Sequence, residues 1–483
     1  MRSEAFEHYI ADRSRRGSPA EGAFSGAAGG AACGDLARVS VRIEGGRVVS
    51  LSHDAEGCGA MQASAAAAAE LADGSELLAA AAIGPAAIDA ALGGLTPAKM
   101  HAPRLVADAL HRALCAAAGS GEPLAPPAPG RALVAMSGGV DSAVAALLER
   151  RAGAEVVAVT LKLWADPRTD GERACCSPQA VLGARELAHS MGIPHLTLDL
   201  EPRFRREVVD SFVAGHAAGE TPNPCVLCNG EVRIEAMVGL AERLGAQRLV
   251  TGHYATVVAD GEGPLLAPAA DPRKDQSYML AALPPELLGR LSFPLSGMSK
   301  DEVRAVASRE GLAVARKPES QDLCFLAGLG KREFLRTQGG ISDRQGDLLD
   351  RRGRRLGRHR GHHHFTVGQR RGIGVASTEP LFVLATDADA NSVTVGPRAA
   401  LSRSAVGLRD AVLHRDGSRV DSVRLRYRAG AVGARVLGDR GPGRHETLRI
   451  GLREPFDGPA PGQVAVLMGG GAVVGHATIA SET

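Results

Sequence analysis

The sequence predicts a multidomain chain: an α+β unit at the front, an α/β doubly wound parallel sheet in the middle and an antiparallel β-barrel at the end. Three observations carry this. The chain has 483 residues, and at about 150 residues per domain that is room for roughly three. From residue 131, short apolar strands alternate with amphipathic helices, the pattern of a parallel sheet with crossover helices. From about 340 onward the pattern becomes short strands broken by glycine turns, as in an antiparallel barrel or sandwich.

The elements follow in order. Residues 1–118 open with a polar tail. ARVSVRIEGGRVVSLSHDAE (37–56) then alternates as two strands around a Gly-Gly hairpin turn, and Ala-rich helical stretches follow. GSGEPLAPPAPG (119–130) lacks apolar periodicity and reads as a semi-rigid linker. Beyond it, RALVAM, EVVAVTLKLW, PHLTLDL and AQRLVTGHY read as strands of one sheet, with VDSAVAALLERRAG and VLGARELAHSMG as helices between them. The tail strands are PLFVLATDADANSVTVG, GARVLG, HETLRIGL, GQVAVLM and AVVGHATIA.

Composition excludes some classes. The net charge is +2, so any nucleic-acid surface must be local rather than a global basic field. Aromatic residues are 3%, too few for extensive base stacking. MRSEAFEHYI has no apolar signal region, and no apolar run reaches the ~18 residues that span a bilayer. The expectation is a cytoplasmic protein without membrane contact. Its thiols then stay reduced and serve metals or catalysis rather than disulfides.

The first strand after the linker runs into SGGVDS (137–142), which opens a helix. The glycines allow a tight turn whose N–H groups face an anion, and the helix N-terminus adds its dipole. No Walker lysine is present. An ordinary βα turn is the plain alternative. In this strand–helix context SGGVDS resembles the pyrophosphate loop of the N-type ATP pyrophosphatases. TLKLW (160–164), ACCS (174–177), NPCVLCN (223–229), TGHYA (251–255), KDQSYML (274–280), KPESQDLCF (317–325), FTVGQRRGIGV (365–375), RYR (426–428) and EPFDGPAPGQVAVLM (454–468) narrow it. In that order they resemble the MnmA-type tRNA-specific 2-thiouridylases over about 131–483.

The resemblance implies a catalytic domain over 131–337, a small central tRNA-binding domain over 338–398 and a C-terminal barrel over 399–483. It implies ATP with Mg2+ as cosubstrate, release of AMP and pyrophosphate, and 2-thiolation of a wobble uridine flipped out of its stack. Ala135, Met136, Ser137, Gly138, Gly139, Val140, Asp141 and Ser142 would hold ATP, with Leu161 and Gly252 near the nucleotide. His253, Lys274, Asp275, Gln276, Arg426, Tyr427 and Gln463 would contact tRNA. Asn223, Pro224 and Cys225 would border the target base. Cys228 and Cys324 would handle sulfur.

The stretch TPNPCVLCNGE (221–231) carries a C-x-x-C that its Asn-Pro and Asn-Gly place in a turn rather than inside a helix. The family pattern is D-x-x-C; here Cys225 stands at the Asp position. Cys225, Cys228 and Cys324 can hold a [4Fe–4S] cluster with one iron open. A Cys228/Cys324 persulfide relay and a zinc site are the alternatives. The sulfur donor would be a cysteine desulfurase, a persulfide carrier or sulfide. Cys175 and Cys176 read as packing residues.

Residues 1–118 resemble the iron–sulfur scaffolds IscU and the N-terminal part of NifU through CGD (33–35), GCGA (57–60) and KMHAPRLVADAL (99–110). The implied ligands are Cys33, Asp35, Cys58 and His101, while Ala102 stands where the third scaffold cysteine belongs. Metal or cluster binding and a degenerate docking module both stay open. Iron–sulfur assembly proteins are possible partners. RRGRRLGRHR (351–360), with six arginines, reads as a tRNA phosphate patch or a solvated loop. HHH (362–364) reads as structural or RNA-contacting.

Overall fold

The computed structural model describes residues 3–30, 34–166, 177–318, 323–326 and 328–481; Cys33, Cys175 and Cys176 lie outside them. The expected polar tail is structured. A helix over Glu4–Ala11 is N-capped by Ser3, and Phe24–Gly29 forms β1. β1 was hidden by its small residues, FSGAAG. They let it lie directly on the helix His101–Ala118, where a Cβ at Gly26 would sit 2.2 Å from the Ala109 carbonyl oxygen. β2 (Leu36–Glu44) and β3 (Arg47–Glu56) complete an antiparallel sheet in the order β1-β2-β3. Gly45 and Gly46 both take positive φ in the hairpin turn. The helix Gly59–Ala72 is alanine-rich and buried around most of its circumference.

The stretch 119–130 is no free tether. Leu124 is 1% exposed, and its N–H and that of Ala125 donate to the Arg243 carbonyl at 2.8 and 3.2 Å. Ala128 donates to the Gly245 carbonyl at 3.0 Å. The proline-rich segment is therefore strapped to the end of the helix Ile234–Arg243.

The central sheet holds β4 (Arg131–Ala135), β5 (Glu155–Lys162), β6 (His195–Asp199), β7 (Arg248–Thr251) and, after a hairpin of β8 (Ala255–Asp260) and β9 (Gly263–Pro268), β10 (Leu291–Ser292). The order is β10-β7-β4-β5-β6 with every pair parallel. The chain winds outward from β4 in both directions, so the switch point lies at the carboxyl end of β4, where open α/β sheets bind ligands. The front unit covers the β6 side: the His195 N–H and His189 Nε2 both meet the Ala81 carbonyl, at 3.1 and 3.0 Å, and Arg185 pairs with Asp108 at 2.7 Å. One continuous apolar core runs through both units.

The tail differs in one respect from an all-antiparallel expectation. β11 (Gly346–Leu349), β12 (Arg355–His359), β13 (Phe382–Asp387) and β14 (Ser392–Gly396) form a sheet in the order β12-β11-β14-β13, and its β11–β14 pair is parallel. β15 (Ser402–Leu413), β16 (Ser422–Arg424), β17 (Val432–Val436), β18 (Gly443–Asp457), β19 (Val464–Gly469) and β20 (Ala472–Ile479) close the barrel with antiparallel pairs. Ion pairs Arg415–Asp260 (2.8 Å), Arg409–Glu220 (2.8 Å) and Arg424–Asp275 (2.6 Å) seat the barrel on the unit built around the parallel sheet.

Candidate nucleotide and thiol site

A cavity of about 970 Å³ opens at the carboxyl end of β4. Ala135, Met136, Ser137, Gly139, Val140, Asp141, Ser142, Leu161, Gly252, His253, Lys274, Asp275, Gln276 and Tyr427 all line it, so residues from five sequence stretches meet in one place. Gly138 sits behind the lining with φ +68. The loop is braced from within: the Ser137 N–H donates to Ser142 Oγ at 3.2 Å, and Ser142 Oγ donates to the Gly139 carbonyl at 3.1 Å. Gly252 is required by proximity, since a Cβ there would lie 2.7 Å from the Ser142 nitrogen.

Sequence reasoning missed the cations around this loop. Lys300 begins the helix Lys300–Arg309 and reaches both carboxylate oxygens of Asp141 at 2.7 Å, while Tyr254 donates to the same carboxylate at 2.8 Å. Lys317 Nζ donates to the Gly138 carbonyl at 2.9 Å. These lysines lie 159 and 179 positions from their partners, and no local motif links them.

Two expected tRNA contacts are engaged in the fold. Asp275 accepts from the N–H groups of Ala269 and Ser277, from Ser277 Oγ and from Arg424. Gln276 Oε1 accepts from the Tyr254 N–H at 2.9 Å. Burial, with Arg233 nearby, pushes the His253 imidazole down to about 3, so it stays neutral at ordinary pH. Arg426 lies outside the cavity and holds the Gly458 carbonyl at 2.8 Å.

The cysteine pair is helical, which corrects the turn expectation. Asn223 caps a helical turn over Pro224–Leu227, its Oδ1 accepting from the N–H groups of Cys225 and Val226, and Pro224 takes a position where its missing N–H costs nothing. The helix continues as a π-helical segment over Cys228–Arg233 and then as Ile234–Arg243. Asn-Pro was thus a start signal. Gly230 serves packing rather than a turn, because a Cβ there would stand 2.7 Å from Ala282 Cβ.

Cys225 and Cys228 are one turn apart. Cys228 is buried in the same core against which Cys324 packs, and Cys225 is half-buried. The loop is tied to the other domains. Gln463 Nε2 donates to the Thr221 carbonyl at 2.7 Å, and the Tyr278 hydroxyl, beside Asn223, donates to the Val464 carbonyl at 2.7 Å. Tyr278 also stands 5.9 Å, ring to ring, from the cavity residue Tyr427.

Family models match three segments: a NifU-like N terminal domain over 2–119, a tRNA methyl transferase HUP domain over 130–328 and a tRNA methyl transferase PRC-barrel domain over 332–397. A bifunctional protein NifU/MnmA of Rubrobacter xylanophilus is 45% identical over 94% of this chain and 93% of its own length. The chain belongs to the bifunctional NifU/MnmA family. A tRNA-specific 2-thiouridylase MnmA of Acidithiobacillus ferrooxidans is 43% identical over 71% of this chain and 98% of its own length. Among solved structures, an iron–sulfur scaffold of Fervidobacterium islandicum aligns with 20% identity over 23% of this chain and 95% of its own, at a TM-score of 0.20.

In the NifU-like part, three of the four expected ligands converge. His101 Nε2 lies 2.8 Å from Asp35 Oδ2 and 4.0 Å from Cys58 Sγ, and the Cys58 N–H donates to Asp35 Oδ1 at 3.3 Å. Ala102 is fully buried and offers no ligand. In the MnmA part, all six arginines of 351–360 are exposed. Arg354 pairs with Asp350 at 3.1 Å. No helix among the described residues is long and apolar enough to cross a membrane.

Proposed function

We propose that this protein catalyses ATP-dependent 2-thiolation of the wobble uridine of tRNA, in two half-reactions served by two neighbouring sites. The observation that carries this reading is the cavity at the end of β4. There the SGGVDS loop, Leu161 and Gly252 meet His253, Lys274 and Tyr427, one tyrosine contact from the Asn223–Cys228 turn. Relatives named tRNA-specific 2-thiouridylase MnmA at 42–44% identity support it.

In the first half-reaction the loop N–H groups receive the β- and γ-phosphates, and Lys300 and Lys317 add positive charge beside them. The uridine 2-oxygen attacks the α-phosphorus, the bond to the bridging oxygen breaks, and pyrophosphate leaves with the electron pair. In the second, a sulfur nucleophile attacks C2 and AMP departs with the C2–O2 electrons. Neutral His253 can accept or donate a hydrogen bond to the RNA without adding charge. Arg426, Gln463 and the exposed arginines of 351–360 are the proposed tRNA contacts outside the cavity.

Mg2+, a hard cation, suits the Asp141 carboxylate, for which it would compete with Lys300. Cys225 and Cys228, one helical turn apart, and Cys324, packed against the same core, are the three thiols that would hold a [4Fe–4S] cluster. When bound, it would supply an open iron position for sulfide. A Cys228/Cys324 persulfide relay needs neither iron nor Cys225. The front set Asp35–Cys58–His101, an N, O and S donor set, suits a metal ion or a cluster in assembly.

The label of the family models names methyl transfer. An anion-binding loop beside paired thiols fits nucleotide cleavage and sulfur chemistry better. The test is direct: the protein with unmodified tRNA and ATP should yield AMP and pyrophosphate, and 2-thiouridine once sulfide or a persulfide donor is added. ADP and phosphate as products would refute the adenylation step.

A further inference from the structure

Outside the proposed sites, a second compact group of metal-type ligands stands where the central domain meets the catalytic domain. One ligand atom each of Asp343, His363 and His364 lies within 4.8 Å of the others. His364 Nε2 is 2.9 Å from Asp343 Oδ1. The His363 and His364 rings are 4.1 Å apart, centre to centre.

The group is held in place before any ion arrives. The His363 ring lies against Gly361, where a Cβ would stand 2.3 Å from its Cε1. Gly361 itself has φ +150. His362, beside them, is fixed by Asn391 at 3.2 Å and by the Ala217 carbonyl at 3.1 Å, so the triple-histidine segment cannot rotate freely.

Two cations stand close, and neither blocks the site. Arg332 takes Asp343 Oδ2 and leaves Oδ1 facing the imidazoles. Lys331 directs its ammonium to the His363 carbonyl at 3.3 Å rather than to the ring. Asp343 is exposed and His363 buried, which gives an entry side and a dry floor.

We propose that Asp343, His363 and His364 bind a divalent transition-metal ion of the zinc class. Two imidazoles and one carboxylate suit such ions, and three protein ligands leave a position for water. Binding replaces the His364–Asp343 hydrogen bond by two metal bonds. The proton on that edge goes to solvent if the imidazole is charged, or to Nδ1 if it is neutral. The ion fixes the segment that continues to Thr366, whose hydroxyl meets that of Thr221 at 3.2 Å, at the start of the thiol-bearing stretch.

The test uses the full chain with Cys58→Ser in every arm, which removes a ligand of the front set. Metal-free protein is titrated with Co2+ under argon. The proposal expects one equivalent whose visible bands come without near-ultraviolet sulfur-to-cobalt absorption, displaced by Zn2+. That equivalent is lost in both Asp343→Asn and His364→Gln, with unchanged far-ultraviolet circular dichroism in at least one of them. A parent lacking such an equivalent overturns the proposal, as does its survival in either variant. Cobalt bound only with sulfur bands assigns the metal to the cysteines and overturns it equally.

Discussion

The nucleotide cavity and the thiol turn lie on adjoining elements and are built oppositely. The cavity is a charged shell: Asp141 is clamped by Lys300 and Tyr254, Gly138 is anchored by Lys317, and Asp275 is held by Arg424. The thiol turn is set in an apolar core, with Cys228 buried and Phe325, next to Cys324, packed 5.2 Å from Phe212 and 5.0 Å from Phe334. Moving a phosphoryl group needs fixed charge where charge develops. A thiol in apolar surroundings keeps its proton, so a sulfur nucleophile there needs a metal ion or a nearby cation to form. On the proposed reading, one chain gives the two half-reactions to separate elements that meet through Tyr278.

The sharpest way to break this comparison is to remove one side. Cys225→Ala and Cys228→Ser should each take 2-thiouridine formation to background while AMP release on tRNA continues; chromatography of the nucleosides and of AMP reads both. If Cys225→Asp stays active without iron, the persulfide relay replaces the cluster. On the other side, Asp141→Asn or Lys300→Met should cut AMP formation by about 10²–10³-fold, the scale seen when one preorganised charge-stabilising group is removed. Iron content should then be unchanged. Simultaneous loss of iron and adenylation in either variant would mean that the two sites are not separable.

Smaller effects sharpen the picture. A chain starting at Gly130 should still form AMP, since relatives with the same catalytic part match only 71% of this chain. Stripping the cover from His195 and the strap at Arg243 should nonetheless lower its melting midpoint by about 5–10 °C, the size of a few kcal/mol in a domain of this length. Replacing Arg351, Arg352, Arg354 and Arg355 with Ala should weaken tRNA binding and flatten its salt dependence by about one unit of slope for each phosphate no longer neutralised. An unchanged slope would make the strip a solvated edge.

The last effect is on pH. Burial holds His253 down to about 3, and His414 and His476 down to about 4. Below the ordinary histidine value of about 6.5 the unfolded chain binds more protons than the folded one, so these groups subtract stability as pH falls from about 6.5 toward 4 and contribute nothing above it. Thermal melts at pH 5 and 7.5 should differ accordingly, and His476→Gln should reduce the difference.

Much of the nucleotide side was legible because its signals are local. SGGVDS between an apolar strand and an amphipathic helix announces a switch-point loop, and the parallel sheet follows from the same alternation. Lys300 and Lys317 were not legible, since they reach the loop from 159 and 179 residues away across tertiary folds. The turn misread at 221–231 has a different cause. Asn-Pro caps a helix as readily as it starts a turn, and Asn229 and Gly230 are used for packing. β1 escaped because FSGAAG lacks the β-branched residues that mark a strand; its place is set by packing on the distant helix His101–Ala118.

The strap over 119–130 changes what the fusion of the two parts can accomplish. A loose leash would let a loaded donor sample the acceptor's surroundings, with its reach set by chain length. Here Leu124 is anchored and the two parts share a core, so the front group Asp35, Cys58 and His101 has a fixed address relative to Cys228. On the proposed reading, any cargo handed between the two sites follows a path set by that shared core rather than by the length of a leash. Lengthening the strap would then alter fold stability far more than delivery.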